Sequence, residues 1–303
     1  MKVLDLNTLA EARQERLSSR RSALMMGGAA LAGLAFTSRR AEAQATVTDA
    51  DILNFALNLE FLEAQFYTLA TTGKTLSQIG MSTASGSGAA GGSVTVKANP
   101  KVPFTSGDSL QAFAMEVAQD EQNHVTFLQT ALAASAVAMP NIDLLNSFNA
   151  LAKAAGLGAS FDPFASETNF LIGAFIFEDV GVTAYQGAAP LITNTAYLDK
   201  AVGIHGVEAY HAASFRTRIF QAGSAAQKIS QAVAATRAKL DGTNSDDIGV
   251  GVNSAGASTI VDNDANGLTY ARTTTQVLSI VYGGGAAGSG GAFYPNAMNG
   301  TIK

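Results

Sequence analysis

Residues 120–128 read DEQNHVTFL, and residues 207–213 read VEAYHAA. Both segments contain Glu-x-x-His, as Glu121 with His124 and as Glu208 with His211. A spacing of three residues puts the carboxylate and the imidazole on one helical face, one turn apart, where both can reach the same point. A single pair of this kind is more often a surface feature than a metal site. This chain, however, has only three histidines, and two of them complete these motifs.

Four long segments have the 3.6-residue apolar periodicity that is typical of amphipathic helices. The chain has only six prolines, so few residues interrupt these segments. Residues 80–98, in contrast, are rich in Gly, Ser and Ala and indicate a loop with one short strand. The sequence predicts an all-α fold, a four-helix bundle with long connections and an irregular C-terminal extension. The predicted long helices span residues 49–72, 109–138, 164–190 and 194–222, and shorter ones span 141–154, 224–240 and 273–282.

Glutamates interrupt the apolar stripes of all four long helices. Glu60 and Glu178 lie on the first and third stripes, and each is followed seven residues later by a tyrosine, Tyr67 or Tyr185. A carboxylate on a core-facing stripe is costly unless it is paired or bound to a metal. No Lys or Arg stands at the same positions, so without a metal the four acids would repel one another or take up protons. We therefore favour a metal centre over a metal-free network of buried salt bridges.

The two halves of the chain repeat one pattern, Glu-x6-Tyr on one helix and Glu-x-x-His on the next. Two such hairpins related by a pseudo-twofold axis would bring four carboxylates and two imidazoles together. This set suits two divalent ions, with bridging carboxylates, terminal carboxylates and one histidine per ion. Carboxylate with imidazole favours iron or manganese over zinc, without deciding between the two. The predicted ligands are Glu60, Glu121, His124, Glu178, Glu208 and His211.

Glu63 and His205 lie near predicted ligands on the same helices. Glu63 follows Glu60 by three residues, and we interpret it as an outer hydrogen-bonding residue, with a direct ligand or a solvated side chain as alternatives. His205 extends the second motif to His-x-x-Glu-x-x-His. It is either a third nitrogen ligand or, as is more common at such a position, an outer hydrogen-bonding group.

Two tyrosines and two aspartates complete the set of polar candidates. Tyr67 and Tyr185 could donate hydrogen bonds to ligand carboxylates or carry a radical, although an aromatic core residue with a bonded hydroxyl is more common. Asp120 and Asp179 each adjoin a ligand in the sequence. We expect them to bond the second ring nitrogen of a ligand histidine on a facing helix.

The N-terminal 43 residues have the features of an export signal. Arg20 and Arg21 precede an apolar run at residues 24–36, and Ala-Glu-Ala at residues 41–43 is a small-residue cleavage site. The paired arginines resemble a twin-arginine signal. A membrane anchor is the alternative, but the apolar run is shorter than the roughly 20 residues that a spanning helix needs. The predicted divisions are a signal peptide at 1–43, a bundle domain at 44–240, and an extension with one short helix at 241–303.

Composition excludes several functional classes. The 303 residues include no Cys, which excludes a disulfide framework, a zinc ribbon, an iron–sulfur cluster and a thiol nucleophile. Removing residues 1–43 leaves 12 Lys and Arg against 20 Asp and Glu, a net charge of −8. Such an acidic chain does not suit nucleic acid. The mature chain has no further apolar stretch of membrane-spanning length, so we predict a periplasmic or extracellular protein without a membrane span.

The segments at residues 51–67, 120–128, 177–185 and 207–213 resemble the ferritin-like superfamily. More closely, they are similar to the exported ferritin-like domain proteins that include plant and bacterial desiccation-related proteins. The C-terminal sequence GAFYPN at residues 291–296 also resembles that family, and the resemblance spans roughly residues 49–300. It implies a four-helix bundle with a dinuclear site at mid-height, held by the six residues named above.

The chain departs from true ferritins in two places. The connection at residues 73–107 is far longer than a ferritin turn, and the C-terminal extension has no place in a ferritin shell, so we do not expect a storage cage. We interpret the glycines at residues 283–285 and 290–291 as part of a flexible tail. Long apolar bundles often associate, so a homodimer is one state that the sequence allows without indicating its face.

Two functions follow from these observations. The first is a dimetal oxidoreductase, ferroxidase-like or catalase-like, that acts on oxygen, peroxide or iron(II) in stress protection. The second is a non-catalytic desiccation or stress protein in which a metal site is stabilising or vestigial. The complete set of six ligands favours the first function, although it indicates binding capacity and not turnover.

Overall fold

Seven α-helices and two short strands make up the regular structure of residues 47–243 and 246–303, the part of the chain that the computed structural model describes. The predicted signal peptide lies outside these residues. The all-α, ferritin-like bundle is confirmed, and the helix positions follow the apolar periodicity closely. In chain order the elements are α1 (Asp49–Thr72), β1 (Val94–Thr95), α2 (Ser109–Leu132), β2 (Ile142–Asp143), α3 (Asn146–Ala154), α4 (Glu167–Ala188), α5 (Thr195–Gln221), α6 (Ser224–Leu240) and α7 (Thr274–Val281).

Local capping fixes where the long helices begin. Thr48 accepts a hydrogen bond from the backbone N–H of Asp51, whose carboxylate accepts one from the N–H of Thr48, so both satisfy free donors at the start of α1. Asp108, Ser166 and Asn194 cap α2, α4 and α5 in the same general way. The predicted end of the second helix at residue 138 is wrong. Helix α2 stops at Leu132 because the next residue, at φ 48°, leaves the helical region.

Hydrogen bonds between helix ends establish the topology. Asn54 near the start of α1 bonds Ser135 just beyond α2, and Ala70 near the end of α1 bonds Val102 just before α2, so these helices are antiparallel. Tyr67 of α1 bonds Glu178 of α4, and Tyr185 of α4 bonds Glu60 of α1, so α1 and α4 are antiparallel as well. Helices α2 and α4 therefore run in the same direction. The chain between them must cross the length of the bundle, as in ferritin-like folds.

This crossover, residues 133–166, contains β2 and α3. Strand β2 pairs in parallel with β1, with Val94 opposite Ile142 and Thr95 opposite Asp143. The pairing attaches the long connection at residues 73–107 to the crossover, so both long connections lie together on the bundle. None of the helices in the described ranges is long and apolar enough to cross a membrane.

The C-terminal extension packs against α1. Tyr294 is fully buried, and its hydroxyl donates to the backbone carbonyl of Asn58 over 2.7 Å. The backbone N–H of Asn299 donates to Asn58 Oδ1, and Asn58 Nδ2 donates back to the carbonyl of Asn299. The expectation of a flexible tail is therefore wrong. Gly291 allows the backbone to pack closely here. It has φ 146°, and an added Cβ would lie 2.5 Å from the carbonyl oxygen of Tyr282.

Three buried arginines fasten the extension to the bundle. Arg216 of α5 and Arg237 of α6 both donate to Asp179 of α4, over 2.7 and 2.8 Å. Arg237 and Arg272 both donate to Asp247 in the extension. Each guanidinium is almost fully buried, so removing one of them would take a charged partner from a carboxylate in the protein interior.

Candidate metal centre

All four long helices contribute to one buried cluster at the middle of the bundle. Its four carboxylates are fully buried, and its two imidazoles are nearly so. The structure thus brings together every residue that the sequence predicts as a ligand. The six-residue cluster consists of Glu60 from α1, Glu121 and His124 from α2, Glu178 from α4, and Glu208 and His211 from α5.

The cluster divides into two overlapping groups of four. The first contains Glu60 and His124, the second contains Glu178 and His211, and both contain Glu121 and Glu208. Within each group, one potential ligand atom from every residue lies within 4.8 Å of the others. Each group could hold one divalent ion, so two ions would share Glu121 and Glu208, and each ion would have one further glutamate and one histidine. The Glu-x-x-His glutamates are the shared pair, which the sequence pattern did not indicate.

The two tyrosines connect the halves of the bundle reciprocally. The Tyr67 hydroxyl donates to Glu178, and the Tyr185 hydroxyl donates to Glu60, so each tyrosine holds the terminal glutamate of the other half. Burial, with the nearby Glu178 charge, raises the pKa of Tyr67 well above its usual value. Burial and the Glu60 charge do the same to the pKa of Tyr185. Both hydroxyls therefore keep their protons and act as fixed donors.

Several ligand-type atoms in the cluster are buried without a hydrogen bond. They are Oε1 of Glu121, Oε2 of Glu178, both carboxylate oxygens of Glu208, and Nδ1 of His211. The His211 nitrogen lies 3.1 Å from Glu121 Oε1, but the direction of approach does not suit a hydrogen bond. Buried polar atoms are normally satisfied, so exceptions concentrated at one point need an explanation. Oxygen and imidazole nitrogen atoms that converge in this way fit a pair of divalent cations.

Charge coupling in the cluster perturbs its ionisation. Burial first, and repulsion from Glu60 second, raise the pKa of Glu121 to about 7. Burial also raises the pKa of Glu208 well above its usual value, with repulsion from Glu121 adding to it. Burial acts in the same direction on Glu60, but the charge of His124 and the hydrogen bonds to Glu60, including that of Tyr185, together hold the pKa of Glu60 below its usual value.

Burial acts in the opposite direction on the pKa values of the two histidines. Burial would lower both pKa values, but the charge of Glu60 raises the pKa of His124 to about 12, and that of Glu178 raises the pKa of His211 to about 12. Protons therefore balance the acids in the absence of cations. Divalent ions bound at the cluster would supply positive charge in their place and displace them.

The histidines differ in what holds their rings. Nδ1 of His124 faces the cluster, 3.2 Å from Glu60 Oε2. Nδ1 of His211 also faces inward, whereas its Nε2 lies 3.2 Å from Oδ2 of Asp120, a half-exposed residue of α2. The expected contact between Asp120 and a ligand histidine is thus present. A proton on Nε2 held by Asp120 leaves Nδ1 free to bind an ion.

Asp179 does not face a ligand histidine, contrary to the expectation. Its Oδ2 accepts hydrogen bonds from Arg216 and Arg237. The physical reason is the helix geometry, since one residue along α4 turns the side chain by about 100° away from Glu178. Asp179 therefore points to α6 and the extension, and it serves the arginine network.

Glu63 is buried beside the cluster, which excludes the solvated alternative. Glu63 belongs to neither group of four. The residue of α4 that corresponds to Glu63 in the internal repeat is Gly181, and Glu63 lies close to Glu208 on either side of this glycine. A Cβ on Gly181 would lie 2.3 Å from Glu208 Oε2 and 3.2 Å from Glu63 Oε1. Burial, then repulsion from Glu121, raise the pKa of Glu63 well above its usual value. Sequence reasoning missed Gly181, although the internal repeat aligns it with Glu63.

His205 is half-buried and belongs to neither group. Burial lowers its pKa, partly opposed by a hydrogen bond with the backbone of Val182, and its Nδ1 has no hydrogen-bonding partner. The structure therefore places it away from the six-residue cluster and gives no support to a third nitrogen ligand.

Comparison with known proteins gives a consistent result. Residues 48–221 match the family described as ferritin-like domain. The chain is 26% identical over 271 residues to a desiccation-related protein of Craterostigma plantagineum, a match that covers 84% of this chain and 83% of that protein. It is 24% identical over 270 residues to a ferritin-like catalase of Nesocodon mauritianus, with 84% of each chain covered. No solved structure matches.

Proposed function

This chain belongs to the ferritin-like domain family, and from that premise we propose that it binds two divalent ions, iron or manganese, and disproportionates hydrogen peroxide. The observation that carries the proposal is the sharing of Glu121 and Glu208 by two groups of four ligands. Among oxygen, peroxide and iron(II), similarity to a protein named a ferritin-like catalase supports peroxide. A role in stress protection is consistent with similarity to the desiccation-related protein.

Peroxide disproportionation converts two H₂O₂ into two H₂O and one O₂, so one peroxide is reduced by two electrons and the other is oxidised by two. A pair of bound iron or manganese ions supplies a reservoir for these two electrons. The contribution of this chain is to fix the ligands. Tyr67 and Tyr185 hold the terminal glutamates from opposite halves, and Asp120 sets the ring of His211.

The surroundings of the cluster also favour chemistry on a small molecule. Its carboxylates have no exposed surface, so bulk water is excluded. Asp120, between α2 and α5, has 37% of its side chain exposed and contacts His211 directly. Asp120 therefore offers a small polar substrate a polar approach to the cluster on this side of the bundle. The long connection at residues 73–107 and the packed extension do not favour a storage shell.

The first experiment is elemental mass spectrometry on natively exported protein. We expect about two iron or manganese ions per chain, lost in Glu121→Ala and in His211→Ala. Glu116→Ala is the matched control, because Glu116 is an exposed carboxylate on the same helix as Glu121. Absence of stoichiometric metal, even after anaerobic loading with iron(II) or manganese(II), would overturn the proposal.

Turnover is measured next on the loaded protein with an oxygen electrode. Added peroxide should release one O₂ for every two H₂O₂ consumed, and the two ligand variants should release none beyond the rate in buffer. Glu116→Ala should retain the full rate. Loaded protein that releases no O₂ would refute the catalase-like reaction while leaving the metal site in place.

Similarity to the desiccation-related protein favours a second candidate, a non-catalytic stress protein with a stabilising metal. In that case, the ions would raise the thermal midpoint of unfolding without any turnover of peroxide or iron(II). Thermal unfolding of loaded and metal-free protein, together with the oxygen measurement, separates the two candidates.

We extend the proposal to export by the twin-arginine route, on the basis of Arg20 and Arg21. A protein that folds before export can take up its ions inside the cell, away from the copper and zinc that bind such sites more tightly. Arg20→Lys combined with Arg21→Lys should stop export, as measured by fractionation of the producing cells. Continued export of the double variant would exclude this route.

A further inference from the structure

The two tyrosines of the pseudo-twofold have different surroundings. Tyr67 has no exposed surface, and its ring is enclosed by aromatic side chains. It stacks on Phe215 at an interplanar angle of 9° and makes edge contacts with Phe66 and Phe170. The half of the cluster nearest Tyr67 is therefore tightly packed.

Tyr185 instead borders two small cavities, of about 20 and about 10 Å³. Both are lined by Leu53, Tyr185 and Ala201, so the two cavities adjoin the same residues. In the larger cavity the lining is alanine and other apolar side chains apart from the tyrosine, with Ala56 and Ala188 among them. Where rings fill the space around Tyr67, small side chains leave space around Tyr185.

The size and the lining restrict what can occupy this space. A cavity needs roughly 10–15 Å³ to hold one water-sized molecule, so the larger cavity has room for one. Water also needs two to four polar partners. The hydroxyl of Tyr185 is already committed to Glu60, and the rest of the larger cavity is apolar. Peroxide and hydrated ions are disfavoured for the same reason, whereas an apolar diatomic molecule is suited to the space.

We propose that the larger cavity beside Tyr185 is a dioxygen site. It lies one side chain from Glu60, since the ring of Tyr185 lines it and the hydroxyl of the same residue bonds Glu60. The assignment to dioxygen rests on the proposed function, in which O₂ is the product. Peroxide would approach on the polar side at Asp120, and O₂ would leave through the apolar side at Tyr185.

Pressurising crystals of the metal-loaded protein with krypton tests the cavity directly. Krypton is an apolar probe whose position is found from its anomalous scattering. We expect a krypton site against the Tyr185 ring, absent in Ala201→Leu, which fills the space shared by both cavities. Ala188→Leu gives a second, half-buried filling site in case Ala201→Leu does not fold. The matched control is Ala152→Leu. It fills a different apolar cavity, which has a volume of about 10 Å³ and is not lined by Tyr185, so the krypton site should be unchanged.

Oxygen release adds a kinetic measurement. Ala201→Leu should lower kcat for peroxide by at least about threefold, with metal content and kcat/KM unchanged, because it obstructs product release alone. No krypton at Tyr185, or krypton that persists in both filling variants, would overturn the inference. So would an unchanged kcat in a variant that has lost the krypton site. Failure of the proposed function would look different, since protein without bound metal can still bind krypton beside Tyr185.

Discussion

Gly181→Ala separates the folding of this protein from its capacity to bind metal. Gly181 is in the interior of α4, where alanine favours a helix over glycine by about 1 kcal/mol. The added Cβ would lie 2.3 Å from Oε2 of Glu208, whereas ordinary contact begins near 3.4 Å. The carboxylate must therefore move by about 1.1 Å, the difference between the two distances. In the metal-free chain this movement of the carboxylate costs little free energy, because the contact is with the end of a flexible side chain.

In the loaded protein the same movement is not tolerated. Bound ions would hold metal–ligand distances within about 0.2 Å, and Glu208 is one of the two carboxylates that both groups of four ligands share. We expect Gly181→Ala to weaken binding of the ion pair by at least about 100-fold, or about 2.7 kcal/mol. This loss of affinity exceeds that of most substitutions at residues that hydrogen-bond to metal ligands, which typically change metal affinity by about 10–100-fold.

Anaerobic competition titration with a chromophoric chelator measures this loss, and thermal unfolding in the presence of a chelator measures the stability of the metal-free fold. The metal-free variant should be as stable as the parent or slightly more so. Gly203→Ala on α5 is the matched control, since nothing lies within 4 Å of a Cβ there. Two ions bound by Gly181→Ala with parental affinity would refute the bridging position of Glu208.

Three further results are expected. Asp120→Asn should weaken metal binding by about 10–100-fold in the same titration, because the ring of His211 loses its fixed orientation, and an unchanged affinity would show that this contact is dispensable. Arg237→Met should lower the free energy of unfolding in urea by about 1–3 kcal/mol, because Asp179 and Asp247 each lose one of their two buried arginine partners, whereas the exposed Lys228→Met on the same helix should have little effect. Loading two ions at pH 7 should release at least about two protons per chain, because His124 and His211 have pKa values raised to about 12 and must lose a proton to bind, and the raised pKa values of Glu121 and Glu208 add to the release. Affinity should therefore fall as the pH is lowered, and calorimetry in buffers of different ionisation enthalpy that finds no proton release would contradict this.

The partners of Asp179 show where inference from the chain alone failed. Its position beside Glu178 suggested a role at the metal centre, but the rotation of α4 turns it towards Arg216 and Arg237. Neither arginine lies near Asp179 in the sequence, so no local pattern could link them. The glycine-rich end was misjudged for the same reason. Its glycines allow tight packing of the backbone, which a pattern of composition cannot distinguish from flexibility.

Local physics made the helices and the six candidate ligands predictable from the sequence. Periodicity places Glu121 and His124 on one face of a helix, and capping residues such as Thr48 mark where helices begin, whatever packs against them. Tertiary structure alone decided the rest, including which two glutamates are shared, which tyrosine holds which glutamate, and where the packing leaves a cavity. These features depend on the rotation and spacing of helices that are far apart in the chain, and packing of the whole bundle sets both.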